Sequence, residues 1–367
     1  MGAQRKALHA ELPLAERLRA RIARDGPISV EAYMQACLAD ADGGYYATRQ
    51  PIGKDGDFVT APEVSQIFGE LVGLWAAAVW QSMGTPRPTV IAELGPGRGT
   101  LMADALRAWR NVPGLLDAAS VALVETSPAL GAIQKARLAD APVPLTWHEH
   151  LEDVPQGPLI VIANEFLDAL PIRQIVRRDG AWRERCVGLD ARDGLAFVEG
   201  ETVAFEEPGA AEGDILEFRP AADKLLATLG VRAAKGNPVA ALFIDYGHEA
   251  SGFGDTLQAV SHHDYADAFA RPGEADLTAH VDFATLKRAA EAAGLSANGP
   301  IPQGTFLLSL GLEARRDRLL KRATETQAEA ILTGAARLAD PRQMGLLFKV
   351  LAVTSAGLAP PPPFGEI

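Results

Sequence analysis

Short, mostly apolar runs alternate with helical stretches from residue 89 to residue 165, and this alternation constrains the fold most. The runs TVIAEL (89–94) and PLIVIANE (158–165) are apolar on both faces over most of their length. Such strands, separated by helices, are typical of a parallel sheet covered on both sides. The pattern resumes at VAALFIDYG (239–247), and GLLFKVLAVTS (345–355) predicts a last strand. We therefore predict an α/β fold with a doubly wound, Rossmann-like sheet.

The remaining pattern adds helices and an antiparallel insertion to this sheet. An Asp179-Gly180 pair between two apolar-polar runs predicts a β-hairpin, and a second hairpin follows it. Thr60, Pro62 and Glu63 have the spacing of a capping box at the start of a strongly apolar helix. Further strands are predicted at 120–125 and 144–148, and helices at 14–24, 30–42, 99–110, 128–138, 283–293 and, as a pair, within 313–333.

With 367 residues the chain exceeds a usual domain of ~150 residues, so one large domain with insertions, or two domains, is expected. The change of pattern near residue 89 divides the chain. The prediction is an N-terminal helical cap with a cofactor-covering loop, then a catalytic domain carrying a hairpin insertion and helical insertions, then a Pro-rich tail. The bounds are 1–88 for the cap, 89–355 for the domain, 172–238, 251–280 and 303–340 for the insertions, and 356–367 for the tail.

The segment ELGPGRGTL, between the first strand of this pattern and a helix, is the most informative stretch. Gly95, Gly97 and Gly99 supply the turn, since a Cβ would block both a sharp turn and close approach to a ligand. A dinucleotide fingerprint requires a third glycine at position 100, which is Thr100 here. Glu93 would also repel a diphosphate but attract a ligand with an amino group. These features favour a nucleoside ligand that carries a cation.

The E-x-G-x-G-x-G pattern is similar to motif I of class I S-adenosylmethionine-dependent methyltransferases. In that family the loop passes beneath the methionine and ribose parts of the cofactor. The resemblance implies that Glu125, at the end of the next strand, accepts hydrogen bonds from both ribose hydroxyls. Two carboxylate oxygens suit a vicinal diol, whereas an amide has only one acceptor oxygen.

Three polar residues lie at the end of the buried run LIVIANE (159–165) and in its continuation FLDALP (166–171). In a doubly wound sheet, ligands lie at the carboxyl ends of the strands near the switch point, so Asn164, Glu165 and Asp168 are expected to flank the methyl group. Carboxylates bind a planar guanidinium through paired hydrogen bonds, which predicts a cationic acceptor. Asn164 is not followed by Pro-Pro-Tyr, which disfavours amide or adenine acceptors. A solvated turn with a helix cap remains the alternative for Glu165 and Asp168.

Eight segments, in order, resemble the MidA-like family, whose members include mitochondrial complex I assembly methyltransferases. The resemblance covers about residues 14–355 and implies a class I methyltransferase, with arginine in a core subunit of respiratory complex I as its protein substrate. It also implies that Thr60, Pro62 and Glu63 fold over the cofactor, although a capping box explains Thr60 and Glu63 without any ligand. The segments are GDFVTAPEVSQIFGELVG, ELGPGRGTL, NEFLDALPIRQ, FIDYGH, GDTLQAV, ADLTAHVDF, QGTFLLSLG and MGLLFKVLA.

The His- and Asp-rich stretch 251–280 does not predict a metal site, because its residues lack ligand spacing. A long ordered loop of this kind is interpreted as a lid over the substrate mouth. His262 and His263 belong to it, and His248 lies either at the acceptor pocket or on the surface. We expect no bound metal.

Charge and composition restrict the partners. The formal net charge is −12, which argues against nucleic acid because phosphate binding requires clustered Lys and Arg. No apolar run reaches the roughly 18 residues of a membrane span. Cys37 and Cys186 predict neither disulfide nor metal, so a reducing compartment is expected: bacterial cytoplasm, or the mitochondrial matrix in a eukaryote. Alternatives are an assembly chaperone that binds S-adenosylmethionine without turnover, a small-molecule methyltransferase and an NAD enzyme. A homodimer is possible.

Overall fold

The computed structural model describes residues 12–48, 60–261 and 264–365. The helices are α1 (Leu14–Asp25), α2 (Val30–Ala39), α3 (Tyr45–Thr48), α4 (Ala61–Val64), α5 (Gln66–Ser82), α6 (Thr100–Trp109), α7 (Leu115–Ala118), α8 (Pro128–Arg137), α9 (Pro220–Ala234), α10 (Phe283–Ala292), α11 (Gln303–Ser309), α12 (Leu312–Leu320), α13 (Glu325–Ala339) and α14 (Met344–Leu347). The strands are β1 (Ile28–Ser29), β2 (Thr89–Leu94), β3 (Ala119–Val124), β4 (Leu145–His148), β5 (Leu159–Asn164), β6 (Arg173–Arg178), β7 (Ala181–Leu189), β8 (Leu195–Val203), β9 (Ile215–Phe218), β10 (Val239–His248), β11 (Gln258–Ser261), β12 (Asp264–Ala266), β13 (Asp276–Thr278), β14 (Val281–Asp282), β15 (Leu295–Pro302) and β16 (Phe348–Ser355).

The main sheet has the strand order β15-β16-β10-β5-β2-β3-β4, with β14 beside the end of β10. Strands β10, β5, β2, β3 and β4 are parallel to one another, and β16 runs antiparallel to both of its neighbours. The chain order reverses between β2 and β5, which places the topological switch point there. The predicted doubly wound α/β sheet is confirmed, and β5 pairs with β2 at its centre.

Burial on both faces of this sheet explains why its strands are apolar throughout. In β5, Ile160 and Ile162 pack into one core with the helices of one face, among them α5 and α6. The alternate residues Leu159, Val161 and Ala163 pack into a second core with α9 and α10. Because successive side chains of a strand point to opposite faces, an apolar residue is needed at every position.

The insertion after β5 is an antiparallel sheet with the order β1-β7-β6-β9 and with β8 against β7. Both predicted hairpins are confirmed. Asp179 and Gly180, with φ of 50° and 72°, connect β6 to β7, as a two-residue turn of this type requires. A third core joins α1 and α2 to this sheet, through residues such as Leu18, Tyr33 and Val187. The N-terminal segment therefore packs on the insertion.

The stretch 251–280, predicted as a lid, contains the three-stranded sheet β12-β11-β13. His262 and His263 lie outside the described residues. None of the helices in the described part of the chain has the length and apolar character needed to cross a bilayer.

The predicted capping box is wrong. Thr60 precedes α4, but its side chain makes no capping hydrogen bond. The single apolar helix expected here is divided into α4 and α5, because Ser65 adopts an extended backbone with φ −159°. The Ser65 hydroxyl then accepts the backbone N–H of Ile67 and caps α5 instead. The side chain of Glu63 instead accepts a hydrogen bond from Thr100, directly after the glycine loop 95–99.

Candidate active site

Acidic and amide side chains meet at the carboxyl edge of the main sheet. Leu94, the last residue of β2, is level with Val124 of β3 and with Ala163 of β5. The register therefore brings Glu93, Glu125 and the Asn164-Glu165 pair to one edge. The adjacent strand β10 pairs Ile244 with Asn164, so that its Asp245 comes to the same edge. In a sheet of this topology, that edge is where ligands bind.

The loop after β2 is built on glycines with left-handed backbones. Gly95, Gly97 and Gly99 have φ of 60°, 53° and 74°, a conformation that is unfavourable for residues with a Cβ. Gly95 is restricted by space as well, since a Cβ there would lie 2.8 Å from Cδ2 of Phe166. This contact joins the cofactor loop to the turn after β5. The predicted turn is confirmed by the positive φ at these three positions.

A cavity above this loop collects most of the residues that the sequence predicted for a cofactor site. Asn164 and Glu165 also line it, so the predicted acceptor residues adjoin the predicted cofactor residues. Gly99, Glu125 and Asp168 do not line it. The lining residues are Thr60, Pro62, Glu63, Glu93, Gly95, Pro96, Gly97, Arg98, Thr100, Leu101, Asn164 and Glu165.

Glu93 has the chemistry expected of a site for a cationic group. Its side chain is only 4% exposed, and its Oε2 atom has no hydrogen-bond partner among the described residues. Burial raises the pKa of this carboxyl to about 8, and the nearby charge of Glu125 adds to the rise. A buried, unpartnered carboxylate is costly. A ligand ammonium in the cavity would offset that cost.

Gln134, on α8, was missed by the sequence analysis and connects the parts of the cofactor site. Its Nε2 donates to the carbonyl of Gly97 at 2.8 Å and to Oε2 of Glu125 at 3.0 Å. Its Oε1 accepts from Nε1 of Trp147 at 3.0 Å. Oε1 of Glu125 accepts the backbone N–H of Ser127 at 2.8 Å, and burial raises the pKa of Glu125. Gln134 thus fixes Glu125 relative to the glycine loop.

The segment before α5 lies over the glycine loop. Glu63 accepts a hydrogen bond from the hydroxyl of Thr100, the first residue of α6, and Arg137 donates to that hydroxyl oxygen. The backbone N–H of Ala61 donates to Oε1 of Glu165 at 2.8 Å. Residues 60–63 therefore contact both the cofactor loop and the turn after β5.

Glu165 occupies the centre of the edge with an unusual backbone. Its φ is 49°, in the left-handed region, and burial raises the pKa of its carboxyl to about 7. Nδ2 of Asn164 donates to Oε1 of Glu165 at 3.1 Å. Both hydrogen bonds to this carboxylate from described residues fall on Oε1, which leaves Oε2 for a ligand. The Oδ1 atom of Asn164 is buried without a partner among the described residues.

Asp168 lies deeper, away from the cavity. It is 7% exposed, its Oδ1 accepts the backbone N–H of Ala169 at 2.9 Å, and burial raises the pKa of its carboxyl while a hydrogen bond from Tyr246 opposes the rise. His248, left open by the sequence, is 3.9 Å from a carboxylate oxygen of Asp282. It lines a separate cavity beside α9 and α10.

Comparisons with known proteins agree with this geometry. Residues 71–301 match a family model described as "Putative S-adenosyl-L-methionine-dependent methyltransferase". The chain is 38% identical to the mitochondrial protein arginine methyltransferase NDUFAF7 homolog of Drosophila melanogaster, over 97% of this chain and 88% of that protein. It is 36% identical to human mitochondrial protein arginine methyltransferase NDUFAF7, over 93% of this chain and 83% of the human protein.

A solved structure shows the same fold with a cofactor product bound. It is a COG1565 superfamily member from Burkholderia thailandensis in complex with S-adenosyl-homocysteine, with a TM-score of 0.81 and 28% identity. The match covers 96% of this chain and 94% of that one. From its sequence, its fold and these relatives, the chain belongs to the family of S-adenosylmethionine-dependent methyltransferases that includes the NDUFAF7 proteins.

Proposed function

We propose that this protein transfers a methyl group from S-adenosylmethionine to an arginine side chain of a protein substrate. The observation that carries the proposal is the pairing of a half-buried carboxylate, Glu165, with the amide of Asn164 at the wall of the cavity. The relatives, which match over more than four fifths of their own length, are named protein arginine methyltransferases, and this supports the proposal.

The charge of Glu93 and the backbone of the glycine loop support the assignment of the cofactor to this cavity. We assign the amino group of the cofactor to Glu93, whose Oε2 lacks a partner, and the methionine and ribose parts to the loop of Gly95, Gly97 and Gly99. The ribose hydroxyls are assigned to Glu125. Thr60 and Glu63 close the cavity from above. S-adenosylmethionine, when bound, supplies an electrophilic methyl group.

We assign Asn164 and Glu165 to binding the guanidinium of the substrate, and Asp168 to adding negative charge nearby. Asn164 and Glu165 both line the cavity, and we assign Oδ1 of Asn164 and Oε2 of Glu165 as the two acceptors of guanidinium N–H groups. When the acceptor nitrogen forms its bond to the methyl carbon, the bond between that carbon and the cofactor sulfur breaks and the sulfur keeps the electron pair. One proton must then leave the guanidinium. A carboxylate with a pKa of about 7 is suited to accept that proton at neutral pH. Asp168 adds negative charge from behind the turn.

The test is methyl transfer in vitro. The protein is incubated with methyl-labelled S-adenosylmethionine and an extract of cells that lack it, beside Glu165→Gln and Glu149→Gln; Glu149 is an exposed acid outside the cavity. The expected result is label on one protein, released as methylarginine on hydrolysis, lost with Glu165→Gln and kept with Glu149→Gln. Label on another residue type would contradict the proposal.

A second candidate is an assembly chaperone that holds S-adenosylmethionine without turnover. For this function we assign partner docking to the antiparallel sheet of the insertion after β5. The chaperone would be supported if the protein binds the cofactor but gives no labelled product in an extract that contains intact complex I. That result would contradict the role of Glu165.

For the substrate we propose a core subunit of respiratory complex I. The support is the ordered set of motifs shared with the MidA-like family, whose mitochondrial members act in complex I assembly. The relatives named above are mitochondrial. We propose a bacterial cytoplasmic location for this chain, or the mitochondrial matrix if it is eukaryotic. We also propose that the chain forms a homodimer. The labelled band, identified by mass spectrometry, tests the substrate.

A further inference from the structure

The turn after β5 receives an unusual set of hydrogen bonds from Asp245, near the end of β10. One oxygen, Oδ2, accepts three consecutive backbone N–H groups: Phe166 at 3.2 Å, Leu167 at 2.9 Å and Asp168 at 3.2 Å. The other oxygen, Oδ1, accepts the N–H of Tyr246 at 2.9 Å. Asp245 is 1% exposed, so these contacts are shielded from water.

The same turn is held from its other side by the insertions. The carbonyl of Asp168 accepts the N–H of Ala279 at 3.0 Å. Arg219, at the start of α9, donates to the carbonyl of Leu170 at 3.4 Å and to that of Ala279 at 2.9 Å. Asp245 therefore accepts the N–H groups of a turn whose carbonyl groups accept from Arg219 and from Ala279, which lies between β13 and β14.

The position of Glu165 depends on this anchoring. A non-glycine residue with φ of 49° is strained, and such strain persists only where the surroundings determine the conformation. The three N–H groups gathered by Asp245 begin at the residue directly after Glu165. They fix the direction in which the chain leaves it, while β5 fixes the direction in which the chain enters. The Glu165 side chain is thereby directed to the cavity.

We infer that Asp245 is a positioning residue for methyl transfer: it holds the turn 165–168 so that Asn164 and Glu165 face the acceptor. This inference rests on the proposed function. Asp245 does not line the cofactor cavity, so it acts through the turn. Burial and the neighbouring carboxylates raise the pKa of Asp245, and the N–H of Asp168 and the charge of Arg219 oppose that rise.

The test compares Asp245→Asn with Asp104→Asn, another buried aspartate, which pairs with Arg107 away from the turn. The asparagine keeps one acceptor oxygen, but its NH2 group faces the N–H of Tyr246, and the charge that strengthens the three bonds is lost. For Asp245→Asn, amide exchange in a peptide covering 165–171 should rise about 10-fold or more, and kcat should fall about 100-fold, the cost expected for a misplaced catalytic group.

The affinity for S-adenosyl-homocysteine should change by no more than about 5-fold in Asp245→Asn, since Glu93 and the glycine loop are untouched. Asp104→Asn should leave both exchange in the turn and kcat unchanged. If Asp245→Asn does not fold, Asp245→Glu keeps the charge but displaces the oxygens. It should lower kcat at unchanged cofactor affinity.

Wild-type exchange in the turn, or a wild-type kcat in either Asp245 variant, would overturn the inference. A wild-type protein that binds the cofactor but methylates no arginine would instead contradict the proposed function. Exchange in the turn is measured without turnover, so the two failures are distinguishable.

Discussion

Glu165 combines a strained backbone with a half-buried carboxyl group of raised pKa, and both features set its chemistry. Residues in the left-handed region are uncommon unless they are glycine, and here the strain accompanies a position at the cavity wall. Burial raises the pKa of the carboxyl to about 7. The group therefore changes its charge near neutral pH, where most side chains do not.

This pKa predicts the pH dependence of activity. The pKa of Glu165 is raised from its ordinary value, so the carboxylate that would bind a guanidinium forms only as the pH passes about 7. We expect kcat/KM to rise from about pH 6 to about pH 8 and to level above that range. Glu165→Gln should lower kcat/KM by about 100-fold or more and abolish the rise. The measurement is a pH series of initial rates; a variant with the wild-type profile would contradict the assignment.

Glu93 is expected to act on the cofactor alone. Replacing it by glutamine removes the charge that faces the ligand ammonium, and a charged hydrogen bond is worth about 1.5–3 kcal/mol, or roughly 10- to 100-fold in Kd. Calorimetric titration with S-adenosyl-homocysteine measures this loss. Glu149→Gln, at an exposed acid, is the control. An unchanged Kd in Glu93→Gln would assign the amino group to another residue.

At the scale of elements, the site is assembled by contacts between the loop after β2 and the turn after β5. Gly95 packs near Phe166, since a Cβ added at Gly95 would lie 2.8 Å from Cδ2 of that ring. Gln134 ties the same loop to Glu125 and β4. The loop and the turn therefore cannot shift independently.

Gly95→Ala should show this coupling. The new Cβ would lie 2.8 Å from Phe166, so the turn must move, and cofactor affinity should fall by about 10-fold or more. Gly84→Ala is a matched control, since Gly84 has a similar positive φ of 85° but nothing within 4 Å of the added Cβ. It should cost only about 1–2 kcal/mol of stability and leave the Kd unchanged. Equal effects on Kd in both variants would contradict the coupling.

Elements with a strong local pattern were predictable, and those set by tertiary contacts were not. The prediction for β2 matches its bounds, and that for α8 differs by one residue at its end. The break at Ser65 was missed because Glu63 bonds with Thr100 instead of capping its own helix. Strand β15 was missed because Gly299 and Pro300 are unfavourable in strands. These two residues are tolerated here because β15 lies at the edge of the sheet.

The candidate site divides in the same way. The glycine loop and the acids at the strand ends were predictable, since parallel strands bring their carboxyl ends to one edge. Gln134 carries no local signal, as its three partners come from separate segments of the chain. The three-fold contact of Asp245 with the turn after β5 depends in the same way on pairing between β10 and β5.

The whole molecule stores several carboxyl groups in environments that disfavour their charge. Burial raises the pKa to about 8 for Glu93, about 7 for Glu165 and about 6 for Asp104. Two of these groups line the cofactor cavity. The fold without its cofactor therefore holds protons that the unfolded chain would release.

This predicts that the cofactor-free protein loses stability as the pH rises. Between about pH 5 and 8 the folded state binds more protons than the unfolded state, so the free energy of unfolding should fall by up to about 1.4 kcal/mol per pH unit for each titrating group. Asp340, whose pKa is lowered to about 2, acts only at lower pH. Urea unfolding at several pH values measures the slope. S-adenosyl-homocysteine should reduce it, as should Glu93→Gln; a stability independent of pH in this range would contradict the assignment.

Methylation of a protein arginine by this protein is best tested in cells. Arginine methylation is compared by mass spectrometry across wild-type cells, cells lacking the gene, and such cells carrying either the wild-type protein or Glu165→Gln. We predict one protein whose methylarginine disappears without the gene, returns with the wild-type protein and stays absent with the variant. Identical arginine methylation in all four strains would contradict the account.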